Sequence, residues 1–244
     1  MKYELEVIAF NIESCLIAEK NGASRIELCA NPSEGGTTPS AGMIAEARKS
    51  TSIQLFPIIR PRGGDFLYSD QEFNAMLYDI ETCRNLGCDG VVFGMLTKEG
   101  NIDINRCAQL IENAGDMSIT FHRAFDRVND PLLALEQIIE LGCKRILTSG
   151  LKPTVMEGIE LLRQLVQLAG DKIKIMPGSG VRSNNIIQLA ETTGAKAFHS
   201  SARKNLSSKM NYINENMNES LSQVTLDAEE VQKIKQNLDQ FFIS

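Results

Sequence analysis

LGCDGVVF (86–93), LGCKRILT (141–148) and TGAKAFHS (193–200) share one pattern, a glycine, a small residue, then a mainly apolar run, and two more glycine junctions, NAGDMSITF (113–121) and LAGDKIKIM (168–176), fall between them. Glycine is the residue that ends a helix in the left-handed conformation, so each reads as a helix end feeding a strand. The glycines Gly87, Gly115, Gly142, Gly170 and Gly194 stand 28, 27, 28 and 24 residues apart. That is about the length of one strand, one helix and two short loops. Working backwards, NGASRIEL (21–28) repeats the pattern, and a strand at 53–59 follows a helix ending near Ser50. The strands expected are therefore eight: 4–10, 25–29, 53–59, 90–94, 117–122, 145–149, 172–177 and 196–199. Strictly alternating strands and helices make parallel strands with right-handed crossovers, and eight units close most readily as a single TIM-type (β/α)8 barrel. An open, doubly wound sheet is the runner-up.

The whole chain, 1–244, reads as one barrel domain, a usual length for that fold. After strand eight the segment 204–223 is rich in Asn and Ser, which predicts an irregular polar arm. A C-terminal helix then starts near Asp227: Asp227 and Glu230 have capping-box spacing, and Val231, Ile234, Leu238 and Phe241 form one stripe. It is expected to close the barrel, with homodimer formation as the alternative use of the stripe.

Composition narrows the partners. The chain is 43% apolar and 23% charged, with 31 acidic against 25 basic residues and no basic stripe, so nucleic acid is not expected. The longest uncharged apolar run surrounds Val91 to Leu96, too short to span a membrane, and Glu4 and Glu6 interrupt any signal-peptide core. Six scattered cysteines form no C-x-x-C pair. Reduced thiols in the cytoplasm, and small molecules as partners, are the expectation.

Alternate strand residues face opposite sides, and the outside of a barrel strand lies under helices. Parity therefore turns Glu4, Glu6, Arg25, Glu27, Cys29, Arg60, Thr120, His122, Lys174 and Met176 inward. Glu4, Arg25 and Lys174 sit low in their strands and suit an internal ion-pair layer. Glu27, Arg60 and His122 sit near strand carboxyl ends, where barrels build active sites. The loops at that end carry Arg60, Arg62 and Asp65 in RPRGGD (60–65), His122, Arg123 and Asp126 in HRAFDRV (122–128), and Gly178, Ser179 and Gly180 in PGSGV (177–181). They also carry TSG (148–150) and HSSARK (199–204). Gly178, Ser179, Gly180 and Ser200 have the position of the phosphate cradle that loops seven and eight often form. The only two histidines, His122 and His199, both fall at this mouth.

Two kinds of chemistry fit. Cys29, Met176, His122 and His199 are the thiolate, thioether and imidazole groups a soft ion such as Cu(I) prefers. Alternatively Arg60, Arg62 and the PGSGV amides hold a small anion, while Glu27, Glu6 or His122 moves a proton in a lyase or isomerase reaction.

RIELC (25–29), GGTTPS (35–40), IRPRGGDF (59–66), TFHRAFD (120–126), ILTSG (146–150), PGSGV (177–181) and FHSSAR (198–203), in that order, resemble the CutC family of copper homeostasis proteins. The resemblance implies a cytoplasmic TIM-type barrel connected with copper binding or copper homeostasis. It also implies that Glu27, Arg60, Arg62, His122, Arg123, Asp126, Ser149, Ser179 and His199 ring the mouth. Where many members end strand one with a Cys-x-Asp-Ser type sequence, this chain has Ala9, Phe10, Asn11 and Ile12, which removes a strand-one thiol from any copper site.

Overall fold

The computed structural model describes residues 2–243. In chain order the elements are β1 (Glu4–Ala9), α1 (Ile12–Lys20), β2 (Arg25–Leu28), α2 (Ala41–Ser50), β3 (Gln54–Pro57), α3 (Asp70–Asn85), β4 (Gly90–Phe93) and α4 (Ile104–Ala114). They continue as β5 (Ser118–Phe121), α5 (Pro131–Glu140), β6 (Arg145–Thr148), α6 (Ile159–Ala169), β7 (Lys174–Pro177), α7 (Ile186–Thr193) and β8 (Ala197–Ser200). A two-stranded ribbon, β9 (Arg203–Leu206) and β10 (Gln223–Leu226), and the helix α8 (Ala228–Ile243) complete the chain. All eight expected barrel strands are present, seven of them shorter by a residue or more and the eighth shifted by one residue toward the C-terminus.

The barrel strands pair in parallel in the orders β3-β2-β1-β8 and β4-β5-β6-β7. A bridge between Ile58 and Val92 joins β3 to β4, and β7 and β8 lie side by side. This is the TIM-type (β/α)8 arrangement, with strands following one another in sequential order and without the reversal of order of a doubly wound sheet.

Local sequence explains why the helices start where they do. Asn11 accepts from the Ser14 N–H at 2.8 Å, Ser40 from Met43 N–H at 3.2 Å, and Ser69 with Glu72 makes a complete capping box. Asp130 caps α5 just before Pro131, the proline-first helix start. The helices then lay Cys15, Met76, Ile80, Cys107, Leu110, Leu162 and Leu165 against the outer face of the strands, all of them fully buried. Each such side chain contributes roughly 1.5–3 kcal/mol of transfer free energy.

The C-terminal part differs from expectation in two respects. The arm is not wholly irregular, because Val224 and Leu226 alternate with polar residues and let β10 pair antiparallel with β9. Nor does Glu230 close a capping box: its carboxylate accepts from Ser183 N–H and Ser183 Oγ, both at 2.8 Å, and so ties α8 to the loop before α7. Val231, Ile234 and Leu238 are buried between α7 and α1, which places α8 as the eighth outer helix.

Candidate active site

Strand register assembles the interior from the bottom up. Glu4 at the base is paired with Arg145 (2.6 Å) and with Lys174. One layer higher, Glu6 lies directly between Arg25 of β2 and His199 of β8, its register partners on either side. Paired residues of neighbouring strands point the same way about 4.8 Å apart, so the three side chains must meet. Arg25 Nε donates to Glu6, its Nη2 donates to Thr120 at 2.9 Å, and its guanidinium lies 3.3 Å from the centroid of the Phe56 ring. That ring has room because the next strand opens with glycine. A Cβ on Gly90 would stand 2.1 Å from both the Phe56 ring and the Ser118 carbonyl oxygen. Gly90→Ala is therefore expected to cost about 1–3 kcal/mol by overpacking, measured as a lower urea midpoint at unchanged m-value.

Above this layer opens a cavity of about 230 Å³, lined by Glu27, His199, His122, Arg60, Arg123, Ser179, Gly180, Ser201 and Arg203 with Ile8, Phe10, Ile58, Phe66 and Leu147. A wider outer cavity of about 720 Å³ shares Gly35, Arg60, Phe66 and Arg123 with it. The floor is an acid–base cluster. Glu6 accepts from His199 Nδ1 at 2.7 Å, and His199 Nε2 stands 3.8 Å from the Glu27 carboxylate. Burial alone would raise the Glu6 carboxyl, but the positive charge of Arg25 and the His199 contact outweigh it and hold Glu6 well below the usual range. Burial also raises Glu27, to about 7; the nearby His199 opposes this and Glu6 reinforces it. Burial lowers His199, but its bond to Glu6 and the charges of Glu27 and Glu6 prevail and raise it. Two neighbouring carboxyls thus differ in kind, one fixed as an anion and one poised to take or give a proton near neutrality.

On another side of the cavity, His122 Nδ1 accepts the Ala124 N–H at 3.2 Å, which fixes the neutral tautomer with hydrogen on Nε2. Burial, and then the charges of Arg60 and Arg123, push His122 down to about 3. Among the described residues its buried Nε2 has no partner, and neither has Arg60 Nε. The rest of the Arg60 guanidinium is occupied by the carbonyls of Glu34 (2.7 Å), Gly36 (2.9 Å) and Gly64 (2.9 Å). Arg60 therefore welds two mouth loops together and does not neutralise Glu27.

The other residues singled out from sequence separate into lining and support. Arg62 is turned away from the cavity and saturated by Glu72 (2.6 Å) and Asp65 (3.0 Å). Asp126 accepts from Arg123, Thr148, Ser149 and Leu151, so it and Ser149 anchor the loops after β5 and β6. The Gly178 N–H is spent on the Thr148 carbonyl, and a Cβ there would meet Leu147 at 2.4 Å, so this glycine serves close approach and not an anion cradle. Ser200 donates to the Val181 carbonyl at 2.8 Å and is equally committed. Ser179 and Gly180 do line the cavity. Arg203 is the residue that sequence reasoning passed over, although HSSARK contains it. It is exposed, lines the cavity, and has no ion pair or side-chain hydrogen bond among the described residues.

The soft donors do not gather. Cys29 faces inward but lies among Phe56, Ile58 and Val92, and burial pushes its thiol well above the ordinary range. Met176 sits apart with Leu147 and Ala197. Among the described residues the ligand atoms that gather within reach of one ion are those of Glu6, Glu27 and His199; Cys29 and His122 are not among them, and Met176 lies in a separate apolar cluster.

A CutC family profile matches residues 3–204, from β1 through the first residues of β9. This chain belongs to the CutC family. A CutC family protein of Parabacteroides distasonis is 53% identical over 233 residues, 95% of this chain and 96% of that protein. A human CutC relative, named a copper homeostasis protein homolog, is 43% identical over 95% of this chain and 86% of its own length. The crystal structure of CutC from Streptococcus agalactiae superposes with a TM-score of 0.78 at 35% identity, covering 82% of this chain and 98% of that one. Among the described residues no helix is long and apolar enough to cross a membrane.

Proposed function

We propose that the mouth of this CutC-family barrel is an active site that transfers a proton on a small anionic substrate, as a lyase or isomerase does. One observation carries the reading: Glu27, buried and raised to about 7, lies 3.8 Å from a histidine pinned by a second, permanently ionised carboxylate, on the floor of an open cavity. A general base works best when its pKa is close to the working pH. Arg203 gives the cavity a positive charge without an ion pair among the described residues, and Arg123, paired with Asp126, lines it too, with the Ser179–Gly180 turn beside them. The six buried free cysteines support a reducing, cytoplasmic setting.

Inorganic phosphate tests the anion half of the proposal. Calorimetry on the full chain should give saturable binding at pH 7 that Arg203→Gln weakens by about 10-fold, the effect of one charged hydrogen bond. Absence of binding to the unaltered protein, or indifference to Arg203, would discard it.

A metal-binding reading also has an observation behind it. One ligand atom each from Glu6, Glu27 and His199 lie within 4.8 Å of one another, and the human relative is named for copper homeostasis. An oxygen, oxygen, nitrogen set suits a divalent ion better than Cu(I). Competition against a chelator, with Cu(I) and Cu(II) in separate titrations, discriminates: a copper site here requires binding that Glu27→Gln abolishes and Cys29→Ser leaves intact.

A further inference from the structure

We infer that His122 is a neutral hydrogen-bond donor to a substrate carbonyl, so that the site's reaction is enolisation of a small ketone or aldehyde bearing an anionic group. The inference rests on the proposed role of Glu27 as base and adds the partner that role needs. Removing a proton next to a carbonyl leaves negative charge on the carbonyl oxygen, and a site that catalyses this step aims preorganised donors at that oxygen.

Three independent features of this chain provide them. The Ala124 N–H occupies Nδ1, so the imidazole hydrogen stands on Nε2. The ring is held in place: Phe66 lies over it with centroids 4.8 Å apart, and Gly94 leaves room that a Cβ would take, 2.7 Å from Nδ1. Finally, His122 Nε2 and Arg60 Nε are both buried donors without partners, on side chains lining the same cavity as Glu27. Buried donors are almost always satisfied. Of the four unpartnered buried polar atoms among the described residues, Arg25 Nη1 and the Tyr68 hydroxyl belong to side chains that do not line the cavity, and His122 Nε2 and Arg60 Nε belong to side chains that do, which points to an oxygen atom of a ligand. Desolvation and the two arginines keep the ring from becoming an imidazolium, which leaves it a donor rather than a proton source.

The step balances without a co-reactant. The Glu27 carboxylate takes the α-proton. The C–H electron pair becomes the new carbon–carbon π bond, and the carbonyl π pair moves onto oxygen, facing His122 Nε2–H and Arg60 Nε–H. Returning the proton from Glu27 to the same carbon completes an exchange; where that carbon carries a hydroxyl, passing the hydroxyl proton across to the other enediolate oxygen and delivering the Glu27 proton to the former carbonyl carbon completes an isomerisation.

Glycolohydroxamate, a stable mimic of an enediolate, is the probe. In ¹⁵N-labelled full-length protein, His122 should remain in its neutral Nε2–H form from pH 5 to 9. The hydroxamate should bind and shift that Nε2–H resonance. His122→Phe should weaken hydroxamate binding by about 10- to 100-fold, and His122→Gln, which restores an N–H, should recover part of the loss. An imidazolium at neutral pH, no hydroxamate binding, or binding indifferent to His122→Phe overturns the inference even when phosphate still binds and Glu27 still titrates near neutrality. If phosphate binding and the raised Glu27 are absent too, the underlying reading of the site has failed and this one falls with it.

Discussion

Arg25→Met will destabilise the protein by roughly 3–5 kcal/mol at pH 7, the cost of leaving a buried carboxylate without its partner. Arg25 and Glu6 are both fully buried, and no water reaches Glu6 to replace the guanidinium. His199 remains on the other oxygen, but it must then hold the ionised carboxylate alone. The loss should shrink as pH falls. A carboxyl lowered by its partners stabilises the fold above its ordinary pKa near 4.5, and that stabilisation disappears as acid approaches the folded value. The paired variant Glu6→Gln with Arg25→Met should recover much of the loss, since it removes both charges together. Urea unfolding of the four proteins in the cycle measures this; a single-variant loss below 1 kcal/mol would mean that the pair is not the keystone of the interior.

Glu27→Gln should remove proton transfer almost entirely, by about 10²–10⁴-fold. The measurement is deuterium wash-in from D2O at the α-carbon of small anionic ketones and aldehydes. The same substitution has an opposite effect on stability. A carboxyl raised by burial favours folding below its ordinary pKa near 4.5, and that advantage is lost as pH climbs through about 7, where the buried group must ionise. Glutamine has no such term, so the variant should gain on the parent between pH 5 and 8, by on the order of 2 kcal/mol. Loss of exchange together with higher stability at pH 8 would mark a group retained for chemistry against the interest of the fold. Equal stability at both pH values would show Glu27 to be an ordinary carboxylate.

The fold was legible because its period is written in helix ends, five glycine junctions before apolar runs at nearly equal spacing. Parity correctly turned Glu6, Arg25, Glu27 and Lys174 inward. It did not say which would touch, because that depends on register. Arg25 turned out to neutralise Glu6, and Arg145, on a strand whose polar residues received no parity reading, shares Glu4 with Lys174. Parity also reports inside or outside but not height or neighbours, so Cys29 and Met176 passed as metal donors although apolar side chains surround them. Loops were harder still. Arg60 and Arg62 look alike in RPRGGD, yet one is inserted among backbone carbonyls at the cavity and the other is held outside by two carboxylates. Which arginine stays unpaired, as Arg203 does, is decided by tertiary partners that no local pattern encodes.

The first strand is completed by the last parts of the chain. β1 takes β8 as one of its neighbours, Asn11 donates to the Val224 carbonyl, and the Tyr3 hydroxyl donates to Asp239 on α8 at 2.6 Å. During synthesis on a ribosome, the earliest strand must wait with one edge bare until nearly two hundred further residues have emerged, and Glu6 waits with it for His199. The Glu6–His199–Glu27 cluster is thus among the final things the nascent chain makes, and a product cut short before β8 would carry Glu6 and Glu27 without the histidine between them.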